Sequence, residues 1–170
     1  VDRNVTQNVG AQKSDGIELS GKFAATDRLT LGAYVAFLDG TILDFKTSIC
    51  TDDDRVAKRC KNAAGEVSSK GAADRTGYES RNSPDWQFTG NVNYDLPTII
   101  PGIVSNIDVT VVGSDDYTTD RSFSNVIGWD QSTDMNVSLL FGAEDDAWNV
   151  LLYARNLMEN KPAYRAENDY

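Results

Sequence analysis

The chain has 170 residues, with 26 Asp plus Glu against 16 Lys plus Arg, two Cys and no His, for a formal charge of −10. The length suits one domain, and the acidic balance argues against nucleic acid, which needs a basic face for its phosphates. The lack of histidine excludes Ser-His-Asp and Cys-His catalysis and every His-containing zinc site. The apolar runs Val137–Ala143 and Val150–Ala154 fall far short of the ~20 residues a spanning helix needs, whereas a membrane β-barrel strand needs only about 9–11.

Val1-Asp2-Arg3-Asn4 opens the chain with neither an initiator Met nor a signal-peptide pattern. The expectation is a mature chain or a piece of something longer. From there the hydrophobic period is two, the signature of half-buried strands. A first strand, about 9–24, sets Ile17, Leu19, Gly21 and Phe23 against Glu18, Ser20 and Lys22. A second, about 28–41, sets Leu29, Leu31, Ala33, Val35 and Phe37 against Thr30, Gly32, Tyr34 and Ala36. So little chain separates them that they read as a tight hairpin.

A polar loop of about 42–83 follows and holds Cys50 and Cys60. With no Cys-x-x-Cys and no His, two thiols cannot complete a four-ligand zinc site. Their polar, turn-rich surroundings imply exposure, and the expected arrangement is a disulfide closing a short loop in an oxidising compartment. Asp52-Asp53-Asp54 reads as a solvated loop tip rather than a calcium site, because consecutive carboxylates rarely converge on one ion and Arg55, Lys58 and Arg59 follow. The single helix candidate, Arg55–Gly65, lacks an apolar stripe.

A third strand, about 84–95, sets Trp86, Phe88, Gly90, Val92 and Tyr94 against Gln87, Thr89, Asn91, Asn93 and Asp95. A turn with Pro97 and Pro101 leads to a fourth, about 104–117, with Ile107, Val109, Val111 and Gly113 opposite Asp108, Thr110, Val112 and Ser114, ending at Tyr117. After a polar loop of about 118–132, a fifth strand (133–143) sets Met135, Val137, Leu139 and Phe141 opposite Asn136, Ser138, Leu140 and Gly142. A tight turn at Glu144–Asp146 leads to a sixth, about 147–156, with Trp148, Val150, Leu152 and Ala154 opposite Asn149, Leu151, Tyr153 and Arg155. The tail, about 157–170, is polar.

The predicted fold is all-β and antiparallel, with six strands about twice the usual 5–6 residues. Short turns alternate with long loops, the habit of outer-membrane barrels, whose turns are periplasmic and whose loops are extracellular. On that orientation Phe23, Tyr94, Phe141 and Trp148 fall at the periplasmic ends, and Phe37, Trp86 and Tyr117 at the outer ends, as two aromatic girdles. The lumen-facing candidates are Glu18, Lys22, Gln87, Asn91, Asn93, Asp95, Asn149 and Arg155. They hydrate the interior or touch a passing solute. Six strands cannot close a barrel, whose smallest membrane form has about eight, so a partial barrel is expected. No catalytic constellation appears, and nothing in the pattern calls for a cofactor or a metal.

Three stretches carry a family resemblance. Gly16-Ile17-Glu18-Leu19, a short turn and Leu29-Thr30-Leu31-Gly32-Ala33-Tyr34 form one; Asn82-Ser83-Pro84-Asp85-Trp86 opening a strand is another. Trp148–Arg155 running into Asn156-Leu157, with Glu159 and Tyr164 beyond, is the third. Their order resembles the last third of the barrel of TonB-dependent receptors, over about Asn8–Tyr164. The resemblance implies a transmembrane β-barrel of 22 strands with an N-terminal plug domain, energised by an inner-membrane TonB complex. It implies active uptake of a scarce small-molecule nutrient such as an iron–siderophore, cobalamin or a carbohydrate. The six strands correspond to about the sixteenth to twenty-first. The plug, the TonB-contacting segment and the final strand are absent. Implied partners are membrane lipid and lipopolysaccharide, the receptor's own plug, and TonB through the missing N-terminal part. The implied place is the bacterial outer membrane with the long loops outside. Two alternatives stand beside it: a barrel with a structural or adhesion role, and a soluble secreted β-sandwich binding module.

Overall fold

A computed structural model describes residues 10–119, 128–159 and 164–165. The first residue of the predicted first strand, the loop residues 120–127 and most of the tail 157–170 lie outside the described residues. β1 (Ala11–Ala24) and β2 (Leu29–Asp44) lead into a loop holding β3 (Ser48–Ile49), the helix α1 (Asp52–Val56) and β4 (Ala72–Ala73). β5 (Trp86–Asp95), β6 (Ile103–Ser114), β7 (Tyr117–Thr118), β8 (Gly128–Trp129), β9 (Ser132–Ala143), β10 (Asn149–Ala154) and β11 (Tyr164–Arg165) follow.

The six long strands form one sheet in the order β1-β2-β5-β6-β9-β10, each antiparallel to its neighbour. The sheet is open, with β1 and β10 at its edges. A period-two pattern fixes register, because a slip of one residue would turn every side chain to the wrong face. Here the register aligns the apolar positions of all six strands. Phe23, Leu31, Val92, Val109, Val137 and Ala154 form one continuous row. The adjacent row on the opposite face reads Ala24, Thr30, Asn93, Asp108, Ser138 and Tyr153.

Among the described residues no layer covers either face of this sheet. Ile17, Leu19 and Phe23 are 66%, 64% and 66% exposed. The buried apolar side chains among the described residues sit at the end of β2 and in the loop instead: Ile42 and Phe45 against Tyr78, and Cys50, Cys60 and Ala73 together.

Three local expectations change. Both cysteines are buried rather than exposed, because they pack on each other and on Ala73 of β4. Asp54 is not solvated: its side chain is fully buried against Arg75. The helix comes earlier than Arg55–Gly65, at Asp52–Val56, because Thr51 and Asp54 close a capping box there. In addition, β6 stops at Ser114, and Tyr117 pairs with Trp129 in a second, three-stranded sheet beyond Asp115 and Asp116.

Candidate functional site: the polar sheet face and the disulfide loop

The polar face is organised around Asp108. Asn91 donates to its carboxylate at 2.8 Å and to the Thr110 hydroxyl at 3.1 Å. Thr110 in turn donates to Asp108 at 3.1 Å. Asn93 and Asn106 exchange amide hydrogen bonds at 3.1 and 3.0 Å, and Asn106 donates to Asp95 at 2.8 Å. Alternation puts all these residues on one side, and the β5–β6 register puts Asn93 opposite Asp108 and Asp95 opposite Asn106. The result is a polar ladder between two strands in which short amides bridge carboxylates and fix their orientation.

Three of the eight lumen candidates, Asn91, Asn93 and Asp95, meet in this ladder. Glu18 and Lys22 stand apart on the edge strand β1. Gln87 pairs with Ser114 and Asn149 with Gly142. Arg155 lies just past β10, its guanidinium 5.0 Å from the Tyr153 ring centre. Asp108, Thr110 and Asn106 were absent from the candidate set. Parity in the fourth strand, about 104–117, is the available signal for all three.

The aromatics cluster on the apolar face near the strand ends. Phe37 is opposite Trp86 in register, and the Trp86 and Phe88 rings stack at 5.9 Å. Phe141 and Trp148 meet edge to face at 6.3 Å beside the 144–148 turn. Phe23 and Tyr94 lie near the turns 25–28 and 96–102. Tyr117 lies outside the six-stranded sheet.

The loop between β2 and β5 is the built part of the long-loop end. Cys50 and Cys60 are joined by a disulfide, with Cα atoms 5.9 Å apart. That separation lies within the usual span for the bond. Thr51 caps α1, and Asp54 returns the contact to the Thr51 backbone N–H at 3.0 Å. The Asp54 carboxylate accepts from Arg75, which is itself buried, and from Arg59 at 3.0 Å. Arg75 also lies over the Tyr78 ring, 5.1 Å from its centre. Burial alone would raise the Asp54 carboxyl, but the hydrogen bonds from Arg75, Thr51 and Arg59 outweigh it and hold the group well below the usual carboxylate range. Nearer the sheet the sign reverses. Burial first, and then the charges of Asp85, Asp116, Asp115 and Asp39, push the Glu79 carboxyl up. Sequence reading missed the Asp54–Arg75 pair. The Thr51-x-x-Asp54 spacing was the visible half of the signal, while Arg75 lies 21 positions away.

The fold is similar to the crystal structure of the siderophore receptor PiuA from Acinetobacter baumannii, with a TM-score of 0.59 at 17% sequence identity. The match covers 91% of this chain and 19% of that one, so the chain spans about a fifth of the receptor's length. No family model matches the chain, and no curated protein sequence does either.

Proposed function

We propose that this chain is part of the barrel wall of an outer-membrane TonB-dependent receptor that takes up a scarce nutrient such as an iron–siderophore, cobalamin or a carbohydrate. One observation carries the reading: a six-stranded antiparallel meander with an apolar face and an opposite face that is mostly polar. In water such an apolar face needs a second protein layer; in a membrane, lipid covers it. Likeness to a siderophore receptor supports the same reading.

On this proposal the apolar face meets lipid and lipopolysaccharide, and the aromatics near the strand ends sit at the two interfaces. The ladder around Asp108 faces the lumen and the receptor's own plug. The six strands are about the sixteenth to twenty-first of 22, and TonB engages a part of the receptor outside this chain. The segment moves a solute and does not transform it. The test is heat-modifiable migration of the full-length protein in detergent gels, with nutrient uptake measured in a strain lacking it. A folded barrel migrates faster before boiling, and the deletion strain loses uptake of one nutrient. A full-length protein without a plug domain would defeat the receptor assignment.

A further inference from the structure

The loop between β2 and β5 encloses an open basin of about 1260 Å³. Its wall carries Lys46, Arg55, Lys58, Arg59, Lys61 and Lys70 against a single lining carboxylate, Asp74. In a chain of charge −10, this gathers six of 16 basic residues where acidic ones are elsewhere in excess. Three of the six have carboxylate partners: Arg55 with Asp52, Arg59 with Asp54, and Lys46 at 3.7 Å from Asp44. Lys58, Lys61 and Lys70 form no ion pair among the described residues. Asp74 accepts from the Thr76 backbone N–H at 2.9 Å and also offsets part of the charge of Lys46 and Lys61, leaving the basin strongly cationic.

The walls are also held in place. The Cys50–Cys60 disulfide, the β3–β4 pair and the buried Asp54–Arg75 pair all fasten the chain around the basin. Preorganised cations do not have to be gathered when an anion arrives, which removes much of the ordering cost of binding. The volume exceeds the few hundred Å³ of a small pocket and accommodates a solute with several charged groups.

We propose that this basin binds a multiply charged oxyanion, a solute carrying several carboxylates or phosphates. The chemistry of the basin rests on the loop alone; its position at the cell surface rests on the barrel reading above. Phosphates of lipopolysaccharide share this chemistry, so the test separates them from a free solute.

The full-length protein carrying this chain, purified in detergent, is titrated with citrate, with inorganic pyrophosphate and, separately, with lipopolysaccharide micelles. The same titrations follow for the triple variant Lys58→Glu, Lys61→Glu, Lys70→Glu. The expected result is saturable binding of citrate or pyrophosphate, weakened about tenfold or more in the variant. Affinity should fall as salt rises from about 0.05 to about 0.5 M, because screening shortens the reach of these charges. Wild-type hydrogen-exchange protection across residues 45–85 shows that the variant loop is folded. If the reversed charges prevent folding, the triple Gln variant takes its place, with the triple Arg variant expected to restore binding. Lipopolysaccharide binding without either soluble anion overturns the solute assignment. No anion binding at low salt, or equal binding by wild type and variant, overturns the basin itself. Anion binding by a wild-type protein that is not heat-modifiable overturns the barrel reading and leaves the basin standing.

Discussion

At the scale of single residues, the decisive group in the loop is Asp54. Its carboxylate is removed from water and held by Arg75, Arg59 and the Thr51 cap. Truncating one partner of a buried pair leaves an uncompensated charge and costs about 3–5 kcal/mol. Arg75→Ala should therefore raise hydrogen exchange across residues 45–85 while the long strands keep their protection. Unchanged exchange in the loop would show that the pair contributes nothing to its order. The pH dependence follows from the direction of the shift. The folded carboxyl lies below its unfolded value of about 3.9. Its stabilisation is therefore complete above that value and is lost as pH falls below it toward the folded value. Loop protection should weaken with acid below about pH 4 in the wild type, and Arg75→Ala should flatten that dependence.

At the scale of elements, the long strands are where sequence and structure meet most directly. Val92, Val109 and Val137 stand in register at mid-strand, in a row running from Phe23 to Ala154. On the barrel reading Val109, in the middle of β6, is at mid-membrane, so Val109→Arg should destabilise the folded receptor by about 2–4 kcal/mol. Urea titration of the full-length protein in lipid vesicles reads this, and a neutral outcome means that the two faces are reversed. Strands of this length were legible because period two repeats over many residues, and one misplaced residue hardly disturbs the pattern. The two-residue strands β3, β4, β7 and β8 carry no period at all, and their pairing is set by contacts distant in sequence. The five-residue helix was equally hidden, since it rests on a capping box and not on an apolar stripe. The end of β6 was overrun for a related reason. Tyr117 continues the aromatic pattern, but the ladder stops at Ser114 and the chain crosses to another sheet after Asp115 and Asp116. The cysteines were placed in a polar stretch, and the cover that buries them comes from Ala73, well along the loop. The polar ladder was half legible: Asn91, Asn93 and Asp95 announced it, while its acceptor Asp108 emerged only once β5 and β6 were in register.

At the scale of the whole molecule, two features of the sheet act against each other in water. The six strands present one apolar face with no protein layer over it among the described residues, and residues such as Leu19 and Phe23 stand about two-thirds exposed. A contiguous patch of this kind drives association. The edges add to it, because β1 and β10 each leave a row of backbone N–H and C=O groups open to pairing. Opposing both is a formal charge of −10, which on its own would keep copies of the chain apart. Which effect prevails separates the membrane reading from the soluble β-sandwich. If the apolar face belongs against lipid, mutual repulsion acts through screened solvent over about 8–10 Å at ordinary salt, while the face itself is sticky at contact. Residues 1–170 expressed alone should then be aggregated without detergent, and should become dispersed when a detergent covers the apolar face. Light scattering coupled to size-exclusion chromatography measures both states. A monodisperse monomer in plain buffer would mean that another protein layer covers the apolar face. That result would sink the membrane assignment whatever the strand pattern suggests. Aggregation without detergent at low salt, where repulsion reaches furthest, would be the more stringent outcome in its favour.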